Sequence, residues 1–450
     1  MNLALVSLAA PLVTALLMLL MRSRSGGWVI GASLVSLMAA IGAGREVSRE
    51  GRLSLSLGGW DSALGIRFEL GGIGVLMLSF TALVHLLVAL YATREGHSRT
   101  NSTDFWPLSC LLHASLAALW LSRDLFNWYV TLELLGLVSV ALILLSGSKA
   151  YAAAFRYLLL SLAASICYLL GVALLYGRYG VLDVSVLAEL AQNDTVTNTA
   201  LVFISLGLML KGAMWPLHLW LPAAHAAAPT AVSALLSGVV IKGPLFILMI
   251  IWTEIAPVEP ARSAGLAFAI AGVIASLAGG WAALRTPSIK TLVAYSTISQ
   301  LGYALMALGL LLYWQQSELS VALWLFVVSH GLAKVSMFLA AGEMQTTLGN
   351  HRIATLRGAA QTMPIAVFAF AVAGGSLVGL PPSGGFVAKW VLLGALLEEP
   401  AHWLWAVMVL GATLVSAAYV FRIVAISFDH VDPAEPIRRP DRWAHVIGVR

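Results

Sequence analysis

From Leu3 onward the chain returns repeatedly to apolar runs of about twenty residues, separated by short polar or basic breaks. Wound as an α-helix, a run of that length crosses the hydrocarbon core of a bilayer. Composition agrees: the 450 residues are 60% hydrophobic and 10% charged, with a mean hydropathy of +0.90, a balance no soluble domain carries. The expected fold class is an all-α polytopic membrane protein with about 13 transmembrane helices. They fall near 2–21, 28–43, 68–92, 106–122, 124–145, 151–176, 199–228, 229–252, 263–284, 288–313, 319–342, 363–397 and 401–428. The seventh and twelfth read as broken, and the second is short. No charged segment precedes the first run and no clear cleavage site follows it, so it reads as a retained helix rather than a signal peptide.

Loop charge orients the spans. Loops and span ends after odd-numbered spans, with the tail, hold fifteen of the 26 Lys and Arg residues, and the opposite side holds seven. The positive-inside rule then puts the N-terminus outside and the C-terminus in the cytoplasm. The same asymmetry accounts for a pI near 9.3 without invoking nucleic acid. Residues 44–70 alone show strand character: RLSLSLGGW alternates polar and apolar, and GIRFEL follows a turn at Asp61 and Ser62. A small exterior β-hairpin is expected there. The tail from Asp429, with Pro433, Pro436 and Pro440, reads as a cytoplasmic surface segment.

The four remaining basic residues, Lys211, Lys242, Lys334 and Lys389, lie inside spans. Charge at that depth is costly and marks function by default. Lys211 and Lys242 flank a segment with Pro216, Pro222 and Pro229 and with His218 and His225. Proline there frees backbone groups, which a membrane tolerates only where protein or a wet cavity covers them. A broken helix beside a buried charge is how transporters build sites. A second break, Gly379-Leu380-Pro381-Pro382-Ser383-Gly384-Gly385, precedes Lys389, so two half-channels are expected.

Glu133 is the one acid well inside a span, and Lys211 is its natural partner. That pair could cycle between a closed ion pair and an open state in which the lysine sheds its proton, or it could only fix packing. Lysine suits proton handling because it can deprotonate on desolvation, whereas arginine stays charged. His330 and Lys334 are four residues apart, on one helical face, where imidazole could relay protons. His225 reads equally as a relay or as a loop-ordering group; His218 is weaker, and His85 and His113 read as structural. Lys389 reads as the terminal proton site, with interfacial snorkelling as the alternative. Ser296, Ser299, Gln300 and Tyr303 could hold water between lysines or simply tie helices together. Asp124, beside Arg123 and Asn127, reads foremost as a helix cap. Cys110 and Cys167 lie in apolar runs and suit neither a disulfide framework nor a metal site. No glycine-rich nucleotide loop, cysteine cluster or haem-type histidine pair is visible, so no cofactor, no metal and no redox chemistry of the chain's own are expected.

At these residues the chain resembles a known family. KGAMWPLHLWLPAAHAAAPTAVSALLSGVVIKG, SIKTLVAYSTISQLGYALMALG, SHGLAKVSMFLAAG and GLPPSGGFVAKW are similar to the antiporter-like subunits of respiratory complex I and of Mrp-type multisubunit sodium/proton antiporters. The likeness covers about residues 70–425. It implies two inverted five-helix repeats with broken helices: N-terminal helices over 1–105, a first repeat over 106–252, a second over 263–428 and a tail over 429–450. It also implies proton conduction through water along Glu133, Lys211, Lys242, His330, Lys334 and Lys389; His225, Ser296, Ser299 and Gln300 are the supporting residues that the sequence itself offers beside them. A lysine within SGGFVAKW resembles the Mrp D-type subunit or related complex I subunits more than the member with glutamate there. The family's usual fourteenth helix has no counterpart here, nor has the long lateral helix of its largest member.

The expected function is therefore that of a proton-translocating subunit of a larger membrane complex, in Mrp-type sodium/proton antiport. The alternatives are a pumping subunit of a complex I-like NADH-quinone oxidoreductase or membrane-bound hydrogenase, a proton-driven partner of inorganic-carbon uptake, and a scaffold whose charges only pack. The implied partners are other membrane subunits, the lipid bilayer of a bacterial-type inner membrane, protons and sodium, with no nucleic acid.

Overall fold

The structure, a computed structural model, describes residues 1–23, 25–56, 65–95 and 104–429. Arg24, Arg99, the hairpin turn at Asp61 and Ser62, and the tail beyond Asp429 lie outside the described residues.

Helices α1 (Asn2–Met21) and α2 (Gly27–Glu50) pack against α3 (Gly72–Glu95) and α4 (Phe105–Leu121). The second helix is longer than the sequence suggested. Its polar end, GREVSRE, stays helical until Gly51 takes a positive φ of 81°, so the connecting loop starts at Gly51 rather than Gly44. A short hairpin follows: β1 (Leu53–Ser56) pairs antiparallel with β2 (Arg67–Leu70), Leu53 opposite Leu70 and Ser56 opposite Arg67.

Helix α5 (Leu125–Leu144) starts at Asp124, whose Oδ1 accepts the Asn127 N–H at 2.7 Å, so the capping role expected of Asp124 is what the geometry has. It leads to α6 (Tyr151–Tyr179), the short α7 (Val184–Leu190) and α8 (Thr195–Lys211). Asp194 caps α8; the Thr197 N–H and the adjacent Arg178 guanidinium hold its carboxyl below the usual range. After Lys211 the backbone leaves the helix for nine residues and resumes as α9 (Leu221–Ala227).

The next span is α10 (Thr230–Leu235), a π-helical turn at Leu236–Val240, α11 (Lys242–Ile250) and a second π turn at Ile251–Ile255. These run on as one segment, Thr230–Ile255, in which every residue from Ala231 to Trp252 is buried. The second half comprises α12 (Val258–Arg285), α13 (Ile289–Trp314), α14 (Ser317–Leu348), the single turn α15 (Ala359–Thr362), α16 (Pro364–Val378), α17 (Gly384–Leu397) and α18 (Trp403–Phe428). Helices α12 and α13 approach closely because small residues face each other: a Cβ on Gly272 would stand 2.5 Å from the Gly302 carbonyl oxygen.

The chain is thus an all-α polytopic membrane protein. Among the described residues ten helices are long and apolar enough to cross a bilayer, and α4, α8, α16 and α17 are shorter apolar helices. A count of thirteen would join α8 with α9 and α16 with α17 into broken spans and add α4; length and composition by themselves support ten. The Thr230–Ile255 segment and α13 form the buried axis, while α1, α6 and α18 turn large apolar side chains such as Leu20, Ile166 and Leu414 outward.

Candidate functional site

Polar groups follow the buried axis. At one end α5 carries Glu133 and α8 ends on Lys211. Lys211 Nζ donates to Glu133 Oε1 at 2.8 Å and to Ser161 Oγ at 3.1 Å. Ser165 Oγ donates to the same carboxylate oxygen. The lysine is buried, while the Glu133 side chain keeps about 20% exposure at the edge of the bundle, beside Val130, Leu134 and Leu137. Position is dictated by the break: a cation at a helix C-terminus faces the negative end of the helix dipole. The freed carbonyl of Leu210 is taken by Trp220 Nε1 at 2.8 Å, and the Trp220 indole stacks on Tyr157.

Lys242 and Lys334 have no carboxylate within ion-pair distance among the described residues. Lys242 Nζ donates to the Ser237 carbonyl in the first π turn, which leaves backbone oxygens outside the ordinary helical pattern. Ser237 Oγ meets Thr297 Oγ1 at 2.9 Å, and Thr297 Oγ1 donates to the Val293 carbonyl at 3.0 Å. Lys334 Nζ donates to that same carbonyl at 3.1 Å and to Ser296 Oγ. One patch of α13 therefore links two lysines from different helices. His330, one turn before Lys334, lies in the electrostatic reach of both lysines; its ring parallels Phe326 and its Nε2 is buried with no partner among the described residues.

The second break places Lys389. Gly379 ends α16 with φ 91°, and Lys389 Nζ donates to the last two carbonyls, Leu377 at 2.8 Å and Val378 at 3.1 Å, and to Thr413 Oγ1 at 3.2 Å. The ammonium also lies 4.5 Å from the Tyr303 ring centroid. Snorkelling to an interface does not describe this side chain: it is 5% exposed and turned inward. Gly385 is required at the same crossing, since a Cβ there would fall 1.8 Å from the Ser376 carbonyl oxygen.

The remaining expectations divide. His225 is fully buried, stacked on Phe338, with neither ring nitrogen partnered among the described residues; Lys290, Lys334 and Lys242 surround it electrostatically. His218 is half-buried within the first break. His85 and His113 stack with centroids 4.4 Å apart, and His85 Nδ1 lies 3.0 Å from the Thr81 carbonyl, in keeping with a packing role. Ser296 touches Lys334, and Gln300 donates to Ser416 and Tyr419, but Ser299 donates to the Ser276 carbonyl of α12 and so ties helices. Cys110 is buried; Cys167 is only partly so.

Residues missed in the sequence are Ser161 and Ser165 of α6, Ser237, Thr297, and Thr413, Ser416 and Tyr419 of α18. Lys290, which counted as a loop charge, is buried and donates to the Ala228 carbonyl at 3.0 Å. Its sequence signal was its place at the very start of a span.

A buried line of lysines, opened by one ion-paired glutamate, thus follows the axis of the bundle. The family described as NADH:quinone oxidoreductase/Mrp antiporter, TM, matches residues 122–415. The chain belongs to this family. NADH-quinone oxidoreductase subunit N of Desulforudis audaxviator is 32% identical over 412 residues, covering 88% of this chain and 80% of the relative. The Na(+)/H(+) antiporter D-type subunit of Alkalihalophilus pseudofirmus is 29% identical over 415 residues, 91% of this chain and 82% of that one. A chain in the structure of the Mrp complex from Dietzia sp. DQ12-45-1b superposes with a TM-score of 0.87 at 27% identity, over 96% of this chain and 81% of its own. In this member of the NADH:quinone oxidoreductase/Mrp antiporter family, both helix breaks and the lysines at them fall inside the matched region.

Proposed function

We propose that this chain carries protons across a bacterial-type inner membrane as one subunit of a larger complex of membrane subunits, in exchange for a cation such as sodium. One observation carries this: Lys211, at the end of a broken helix in the bundle, is ion-paired to Glu133, while Lys242, Lys334 and Lys389 continue inward on carbonyls, hydroxyls and the Tyr303 ring, with no carboxylate at ion-pair distance among the described residues. Lone buried ammonium groups without carboxylates are held by acceptors that a neutral amine could keep in part. They can therefore load and release a proton without leaving an unpaired carboxylate behind.

In this scheme the Glu133–Lys211 pair is the switch. While it is closed, Lys211 keeps its proton. When Glu133 swings away from Lys211, as its partly exposed place at the edge of the bundle permits, Lys211 loses its counter-charge and hands a proton toward Lys242. Lys242, His330 and Lys334 relay it, the Ser237–Thr297–Val293 patch lying between the two lysines, and Lys389 passes it on. His225 sits where protons from the Lys290 end would meet Lys334. We place the first repeat in residues 106–252 and the second in 263–428, each with one broken helix. The N-terminus faces outward, as the loop charges require.

Glu133→Gln keeps the size of the side chain and removes its charge. Acridine-orange fluorescence in everted membrane vesicles, read after a sodium pulse, should fall to the level of vesicles lacking the complex, while the other subunits still co-purify. Wild-type rates in that variant would overturn the scheme. A second reading follows from the 32% identity to a quinone oxidoreductase subunit: the same residues pump, driven by redox subunits. Purification of the tagged chain in mild detergent decides, since iron–sulfur or flavin subunits in the eluate would replace the antiport reading with this one.

A further inference from the structure

Between Lys334 and Lys389 the bundle holds a run of hydroxyls drawn from α13 and α18. Lys334 Nζ donates to Ser296 Oγ. The Tyr419 hydroxyl faces the hydroxyls of Ser296, Ser299 and Ser416. Gln300 Nε2 donates to Tyr419 Oη at 3.1 Å and to Ser416 Oγ at 3.0 Å. Tyr303 Oη faces Ser416 and meets Thr413 Oγ1 at 3.1 Å, and Thr413 Oγ1 accepts from Lys389 Nζ at 3.2 Å. Tyr419, Ser416, Gln300 and Ser296 are fully buried, and Tyr303 nearly so.

The placement on α18 is specific. Residues 413, 416 and 419 recur every three positions and share one face. Elsewhere α18 presents Leu410, Leu414 and Phe421 outward, as a helix against lipid should. A polar stripe on such a helix is unnecessary for holding it in a membrane, where close packing serves, and each extra hydroxyl must find a partner. The partners found are those on the route from one lysine to the next.

We propose that Tyr419, Ser416 and Thr413 of α18, with Ser296 and Tyr303 of α13, form a hydroxyl relay that carries the proton from Lys334 to Lys389. The relay presupposes the lysine path proposed above and assigns its last step. A proton leaves the Lys334 ammonium for Ser296 Oγ as the Ser296 O–H proton passes to Tyr419. Each hydroxyl in turn accepts one proton and releases its own, through Ser416 and Tyr303 to Thr413, which releases one to the Lys389 amine. All hydroxyls end neutral with their O–H bonds reversed, and rotation resets them. Ser296, which donates to the Val293 carbonyl at 2.9 Å, turns toward Tyr419 at the start of the cycle. Gln300 is a positioning residue: it donates to one lone pair of each of Tyr419 and Ser416 and leaves the other free to accept, while the Ser416 O–H, which donates to the Ala412 carbonyl at 3.0 Å, turns onward during the cycle.

The test uses the intact complex in everted vesicles, with the sodium-pulse assay and co-purification as the measure of assembly. Tyr419→Phe removes one oxygen and should lower the initial rate at least tenfold with assembly unchanged. Thr413 separates relay from packing. Thr413→Ser keeps the hydroxyl and loses a methyl, whereas Thr413→Val keeps the shape and loses the hydroxyl. A relay predicts that the serine variant works and the valine variant fails; a packing role predicts the reverse order. Should Tyr419→Phe not assemble, the Thr413 pair decides alone. Wild-type rates in Tyr419→Phe and Thr413→Val overturn the relay. Lys389→Met is run beside them. If it abolishes transport while the hydroxyl variants do not, the relay falls and the lysine path stands; if it too transports normally, both fall.

Discussion

A carboxylate and an ammonium 2.8 Å apart inside an apolar bundle can be architecture or machinery, and the choice of lysine separates the two. Arginine would fork onto Glu133 more firmly and never deprotonate. Lys211→Arg should therefore preserve assembly and abolish sodium-driven proton movement; an architectural pair would tolerate it with rates near wild type. The four lysines and Glu133 were legible in the sequence because charge within an apolar run is too costly to be incidental. The hydroxyls were not. Ser161, Thr297, Ser416 and Tyr419 are ordinary residues of apolar helices, and only the packing of the helices shows that Ser161 reaches the Lys211 ammonium, that Thr297 meets Ser237, and that Ser416 and Tyr419 meet Gln300. Lys290 was missed for a related reason: the boundary of a helix, rather than the residue itself, decides whether a lysine is in a loop or buried at its end.

Helix breaks do the positioning. Each interrupted helix ends in carbonyls that lack an internal partner, and at α16 a lysine from the resumed helix, Lys389, takes them. Proline and glycine marked both breaks in advance. The π turn at Leu236–Val240 has no proline, and its single glycine, Gly238, is no more distinctive than others within the apolar helices, so the turn became visible only from backbone geometry. Likewise α2 runs past its apolar stretch, since a helix leaving the bilayer can continue with polar residues until a glycine stops it. At the second break the crossing of α17 over α16 depends on Gly385, where an added methyl would collide with backbone rather than with a side chain that could turn away. Gly385→Ala should cost roughly 1–3 kcal/mol or more by overpacking. The expected result is a lower thermal midpoint of the detergent-purified complex and weaker transport, because Lys389 is displaced from its carbonyls. An unchanged midpoint with full transport would mean that the crossing can open without consequence.

Across the whole molecule the charges sort into two ends. Arg67, Glu69, Arg123, Asp183 and Glu254 interlock where the hairpin meets the bundle: Arg67 pairs with Glu69 at 2.6 Å and Asp183 at 3.7 Å, and Arg123 reaches both Glu69 and Glu254. The cations of this end are largely neutralised by acids. At the other end Lys290 and Arg422 donate to main-chain carbonyls, and Arg352 pairs through its backbone with Ser288. In the orientation proposed above, this second end faces the cytoplasm. Two single cysteines test the orientation, on a background with Cys110 and Cys167 replaced by alanine: Ser54→Cys, exposed on β1, and Ala354→Cys, exposed in the turn after α14. A membrane-impermeant maleimide should label Ser54→Cys in intact spheroplasts and Ala354→Cys only in everted vesicles. The opposite pattern would invert the protein in the membrane. The Glu133–Lys211 switch would then open toward the other side, and the direction of proton flow would have to be reassigned with it.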